Sequence, residues 1–194
     1  MSYYQISALA LLTVYYAAYL TKLFGQRRKG IKTVQLGKGE KSRRTVIVEN
    51  ILQITSCVAI VAEGVSIIFN SGWGLPSLLR ITGIFCTGCG TIIFILAMVT
   101  MRDSWRAGIP TTDETKLVTK GIYRISRNPA FLGFDLVYLG VGIAFFNVVL
   151  AVITLMGIVV LHLQILEEEN FLSKVFGPEY ETYKKQVGRY ILKI

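Results

Sequence analysis

Apolar residues in this chain come in blocks rather than at regular intervals. Residues 3–24, 46–69, 78–101 and 131–166 are each nearly free of charge. Each block reaches the roughly 18 residues that carry a helix across a bilayer. The last block is too long for one crossing: its 36 residues would make a helix of about 54 Å, against a hydrocarbon core of about 30 Å. Two helices turning near Phe146-Asn147 fit the bilayer better, and Asn is a suitable turn residue. The pattern therefore predicts an all-α integral membrane protein of about five transmembrane helices. Residues 1–110 would hold the first three helices with a basic cytoplasmic loop at 25–45. Residues 111–194 would hold a polar loop, a helical hairpin at 131–169 and an amphipathic C-terminal tail.

Charge supports that count. Twenty of the 21 Lys and Arg lie in 22–44, 102–127 and 174–193, with Arg80 the exception. The N-terminus, the loop "NSGWGLPS" and the turn at 147 carry none. Five helices put the three basic segments on one side of the membrane, whereas four would divide them between both sides, against the positive-inside rule. The expected topology is multi-pass, with the N-terminus outside and the C-terminus and polar segments cytoplasmic. Residues 3–24 lack the basic leader and small-residue cleavage site of a signal peptide, so they are read as a span. A net charge of +9 then needs no nucleic acid as partner; a basic cytoplasmic rim accounts for it and favours anionic lipids. With 53% hydrophobic and 17% charged residues and a mean hydropathy of +0.53, a soluble domain is excluded.

The usual catalytic signatures are missing. There is one histidine, and no G-x-S-x-G, H-E-x-x-H, G-x-x-x-x-G-K or strand-borne G-x-G-x-x-G. Cys86 and Cys89 lie one turn apart in a predicted helix with Gly83, Gly88 and Gly90. Without a nearby His or Asp they make no metal site, and small residues let membrane helices pack closely. The chemistry is left to the polar side. There, "DETKLVTKGIYRISRNPAFLG" (113–133) runs straight into an apolar block, "LHLQILEEENFL" (161–172) ends in three glutamates, and "FGPEYETYKKQVGRYI" (176–191) is aromatic and basic. On a helix, His162 and Glu169 share one face, and Gln164, Glu167 and Glu168 a neighbouring one. Glu63 and Asp135 fall inside spans and are expected to be buried against protein.

These segments resemble the C-terminal half of isoprenylcysteine carboxyl methyltransferases, with phospholipid methyltransferases as relatives. "LVTKGIYRISRNPAFLG" matches L-V-x-x-G-x-Y followed by R-H-P-x-Y-x-G, and "EEENFLSKVFGPEYETYKKQV" matches E-E-x-x-L and F-G-x-x-Y-x-x-Y-x-x-x-V. The match covers roughly 115–190. The family's His, Tyr and tail Pro are here Asn128, Phe131 and Gly188, and Gln164 stands where eukaryotic members carry Arg. With fewer helices than those, the chain resembles a minimal prokaryotic version.

The resemblance implies S-adenosylmethionine as methyl donor, leaving as S-adenosylhomocysteine. Glu167 and Glu168 would hold its ammonium. The backbone of Lys116, Leu117 and Val118, with Val118, Tyr123, Pro129 and Phe131 as a wall, would hold its adenine, and Asn128 and His162 complete the cofactor set. Methylating an ionised carboxylate needs no base, and an arginine fork is its natural clamp. Arg124, Arg127 and Arg189 are the candidates, with Glu167 counted among the catalytic residues as well. The implied reaction is methyl esterification of a C-terminal prenylcysteine on a lipid-modified substrate delivered from the bilayer. The alternatives are N-methylation of an amine-headed lipid and a non-enzymatic small membrane protein. A lateral opening is expected beside the fourth and fifth helices at Phe131, with loop 113–130 and the tail closing over the cofactor. Tyr180, Tyr183 and Tyr190 are expected at the membrane interface.

Overall fold

Every apolar block forms a helix. A computed structural model describes residues 1–110 and 116–191, so positions 113–115 of the polar loop lie outside the described residues. Five helices follow in order: α1 (Tyr3–Arg28), α2 (Arg43–Ile68), α3 (Ser77–Met101), α4 (Pro129–Ala144) and α5 (Val148–Gln186). Four are long and apolar enough to cross a membrane, and α4, at 16 residues, is shorter. The chain is a multi-pass, all-helical membrane protein. Pro129 opens α4 at a position where its missing N–H costs nothing.

The break in the last apolar block falls at 145–147. Asn147 caps α5 by accepting from Leu150 N at 2.9 Å, and its Nδ2 donates to Ser66 Oγ at 2.9 Å. This end of the bundle also holds Arg80, which is buried, donates to Asn70 Oδ1 at 2.6 Å and lies over the Tyr4 and Phe145 rings. The fifth helix is longer than the hydropathy suggests. Its straight part, 148–176, spans about 43 Å and so stands clear of the hydrocarbon, carrying the glutamates outward. Gly177 then takes φ 49° and ψ −126°, and Pro178 starts the next turns in a new direction.

The basic segments do meet at one end. Gln35 N donates to Ala107 O at 2.8 Å and Ala107 N to Thr33 O at 2.9 Å, which joins the loop after α1 to the loop after α3. Glu49, on the second turn of α2 and fully buried, fastens both. It accepts from Gly37 N at 2.7 Å and Ile109 N at 2.9 Å, and pairs with buried Lys41 at 2.7 Å. Those donors offset the cost of burying the Glu49 carboxylate. Gly108 beside it has φ +88°, and a Cβ there would lie 2.8 Å from Leu36 N.

Packing is uneven. The α3–α4 contact is the most extensive, α2 lies along α5, and α1 leans on α3 while scarcely touching α2. Glycines line the α3–α4 seam. A Cβ on Gly90 would sit 2.7 Å from Gly133 O, and one on Gly83 2.5 Å from Gly140 O. The glycines make this contact, while Cys86 and Cys89 stay half-buried and unpaired beside it. Gly90→Val should therefore lower stability by about 1–3 kcal/mol. Gly88→Ala, whose methyl would meet only Leu11 at 3.9 Å, should be neutral or stabilising. Thermal unfolding of the two variants in detergent checks the difference.

Candidate functional site

Successive residues on a helix point about 100° apart, so three glutamates in a row cannot face one ligand together. Glu167 turns to α2, accepting from Thr45 Oγ1 at 2.7 Å and pairing with Arg44 Nε at 2.9 Å. Glu168 turns inward, where Gln164 Nε2 donates to it at 3.1 Å. Glu169 turns to the loop and tail. Its Oε1 receives Arg127 Nη2 at 2.9 Å and Asn128 Nδ2 at 3.1 Å, and its Oε2 receives Arg189 Nη2 at 2.9 Å and Nε at 3.1 Å. Arg127 also donates to backbone carbonyls of Lys184 and Val187, and its own N–H to Gly188 O at 3.0 Å. The Glu169 hydrogen bond holds the Arg189 guanidinium further above its ordinary pKa.

This knot folds the tail back over the loop. Tyr180 and Tyr183 are buried with Val187 against Leu117, Leu172 and Phe176, and Tyr183 Oη donates to Tyr123 O at 2.6 Å. They are thus walls of the site rather than anchors at the membrane interface. Burial also pushes the Tyr123 phenol well up from its ordinary value, so it stays protonated at neutral pH. Tyr190 hydrogen-bonds His162 Nδ1 at 3.0 Å and stacks on its ring.

Under the tail lies a narrow cleft of about 120 Å³, and beside it, at membrane level, a larger and mainly apolar cavity of about 560 Å³. Of the candidate residues, Lys116, Leu117, Val118, Tyr123, Arg127, Asn128, Phe131 and Glu168 line the cleft. The others lie elsewhere. Arg124 is exposed, Pro129 is buried in the first turn of α4, and Arg189 is held by Glu169. His162 is engaged with Tyr190 and Glu167 with α2.

Several residues absent from the sequence-derived set shape the site: Glu169 at the knot, Trp105, Arg106 and Gly108 from the loop after α3, and Phe171 and Tyr180. The Glu169–His162 spacing was a signal for the first, and the Tyr180–Tyr183 spacing for the tail wall. Trp105, Arg106, Gly108, Ala130, Phe131 and Glu168 line both spaces, so the two meet there. The rim of the larger cavity carries exposed Leu20 of α1 and Gln53, Cys57 and Ile60 of α2. Its lateral mouth is therefore between α1 and α2, where helix contact is sparse. The α4–α5 side expected to open, including Phe131, forms the opposite wall.

Residues 78–179 match the family model for phospholipid methyltransferase. The chain belongs to that family. The matched stretch runs from α3 through the cleft to the first residues after the Gly177 bend and takes in most of the motifs quoted above. Over 101 residues, half of this chain, it is also 36% identical to the probable protein-S-isoprenylcysteine O-methyltransferases of Oryza sativa subsp. indica and of subsp. japonica. The aligned part is 53% of each, so the chain spans about half the length of the curated relatives it matches. The resemblance to isoprenylcysteine carboxyl methyltransferases read from the motifs holds.

The knot has a measurable consequence. Glu169→Gln leaves the buried Arg127 guanidinium without its counter-ion, a loss of about 3–5 kcal/mol. Amide hydrogen exchange in 180–191 should accelerate at least tenfold in that variant, with α3 and α4 unchanged. Glu181→Gln removes only an exposed pair to Lys184 and should leave the tail protected.

Proposed function

We propose that this chain is an S-adenosylmethionine-dependent membrane methyltransferase whose substrate is held in the bilayer. The observation that carries the reading is the junction, at Phe131 and Glu168, of a cleft that holds charged side chains among aromatic ones with an apolar cavity. A charged, water-soluble donor and a lipid-tailed acceptor need such a meeting point, because neither crosses into the other's solvent cheaply.

The cleft residues suit the donor. Glu168, at the junction, offers a carboxylate that receives Gln164 Nε2, and on the cavity side buried Gln164 Oε1 has no partner among the described residues. Both can take an ammonium. Lys116 to Val118 bring backbone groups, and Tyr123, Phe131 and Phe171 bring apolar faces. Once bound, the donor supplies an electrophilic methyl group. At 120 Å³ the cleft must widen to admit it.

The acceptor we infer is the C-terminal carboxylate of a prenylated cysteine, as the names of the rice relatives suggest. A carboxylate arrives ionised, so the chain need only position it and exclude water. Arg127 and Arg189 are bound to Glu169, and Arg106, at the junction, donates to the carbonyls of Asp103 and Trp105. That same engagement favours a second reading, methylation of an amine-headed lipid, in which Glu168 rather than an arginine meets the substrate. We further propose that the cleft faces the cytosol, supported by the basic segments gathered around it, and that these segments bind anionic lipids.

Membranes containing the protein are incubated with tritium-labelled S-adenosylmethionine and a prenylcysteine acceptor, then treated with alkali. Volatile, base-released methanol is the expected product; label that survives alkali identifies an amine, and no transfer at all contradicts the proposal. Glu168→Gln should weaken binding of S-adenosylhomocysteine by about 1.5–3 kcal/mol without altering the fold, as read by titration calorimetry.

A further inference from the structure

Where α1 leaves its apolar block, a groove of about 560 Å³ runs between the helix end and the loop that follows. Leu23 and Phe24, the last residues of the block, line it, and Arg27 stands one turn further along the same face. Gly30, at φ +73°, turns the chain, its N–H donating to Arg27 O at 3.0 Å and that of Ile31 to Gln26 O at 3.0 Å. The loop then supplies Ile31, Lys32, Val34 and Lys38. Buried side chains fix that loop. Gln26 accepts from Thr33 Oγ1 at 2.7 Å and donates to Trp105 O at 3.1 Å, and Gln35 Nε2 donates to Lys32 O at 2.8 Å.

Two kinds of side chain line this groove. Arg27, Lys32 and Lys38 are exposed, and none pairs with a carboxylate among the described residues. Asp103 is taken by Lys29 and Glu49 by Lys41. No Asp or Glu among the described residues lines the groove; Glu40, exposed beside Gly39, is the nearest in sequence. Between the cations lie Leu23, Phe24, Ile31 and Val34, with Phe24 53% exposed. Water has no use for that mixture, whereas the boundary of a bilayer does: hydrocarbon meets the apolar residues and phosphate the cations.

We propose that this groove binds the phosphate headgroup of an anionic phospholipid, held by Arg27, Lys32 and Lys38, with its acyl chains along Phe24 and Leu20 of α1. The proposal deepens the reading that the basic segments bind anionic lipids by giving it one site. An arginine forks a phosphate through two donors and lysines add point charges. A free phosphate would use the cations but not the apolar lining. A nucleic acid would need a groove clear of the bilayer, and Leu23 and Phe24 end a membrane-spanning block. Leu20, one turn before Phe24, lies on the rim of the lipid cavity, and Val34 lines groove and cavity alike. The bound lipid therefore flanks the lateral mouth between α1 and α2.

The test uses the full chain in detergent with neither methyl donor nor acceptor, so it is independent of methyl transfer. Equimolar dioleoyl phosphatidylglycerol and dioleoyl phosphatidylcholine compete for the protein, and native mass spectrometry reads the ratio of the two adducts. The chains are the same, so the ratio reports the headgroup. The wild type should favour phosphatidylglycerol, and Arg27→Gln with Lys32→Gln should lower that preference by about 5- to 30-fold. Lys174→Gln with Lys185→Gln removes as much charge from exposed positions elsewhere and should leave it nearly unchanged. Thermal unfolding at the wild-type midpoint shows that the variants are folded. Lys32→Gln alone, in the loop, should lower the preference by about 3- to 5-fold and decides the matter if the double variant does not fold. An equal fall in both double variants means diffuse attraction by the basic rim and overturns the site while leaving the broader reading. A wild type without preference, or groove variants that keep it, overturns the proposal. So does loss of the phosphatidylglycerol adduct to an equal concentration of inorganic phosphate, which marks a free-anion site.

Discussion

A carboxylate buried beside a membrane needs compensating charge and donors, and Glu169 obtains both from segments far apart in the chain. Arg127 and Asn128 come from the loop before α4, and Arg189 from the tail after α5. Because the pair would be costly if broken, the loop and tail stand or fall together, and the cleft exists only while they do. Glu49 plays the same part on the other side, fastening the loops that follow α1 and α3. Two carboxylates thus turn connecting segments into walls.

Between the helices the logic differs. Lipid is as apolar as a leucine side chain, so membrane helices associate through close fit. Glycines allow that fit between α3 and α4 and make the pair a rigid back wall. No such fit draws α1 onto α2, and the apolar cavity occupies the gap. Its neighbour, the cleft, opens from Phe131 and Glu168. The family match covers the back wall and most of the cleft, while the front wall of α1 and α2 lies outside residues 78–179. Tyr15 and Tyr16 of α1 belong to that front wall.

The spans, the turn at Asn147 and the gathering of basic segments at one end were legible because hydropathy and charge are local properties read one segment at a time. Burial of Glu63 and Asp135 followed for the same reason. The directions of Glu167, Glu168 and Glu169 were only half legible: helical geometry separates them, but nothing local says which arginine meets which acid. Arg127 and Arg189 looked open for a substrate because their partner is 42 and 20 residues away. The tail tyrosines carry the composition of an interface belt, and only the bend at Gly177 turns them inward. The lateral mouth was misplaced because it depends on a contact that α1 and α2 do not make.

The central claim is that the donor cleft and the lipid cavity meet at Phe131 and Glu168. A structure of the full chain bound to S-adenosylhomocysteine and a lipid-tailed acceptor measures it directly. The account predicts the cofactor sulfur at that junction, facing the acceptor's polar end, with the lipid tail lying between α1 and α2. A cofactor bound away from Glu168, or a lipid tail separated from the sulfur by the Phe131 wall, would contradict it.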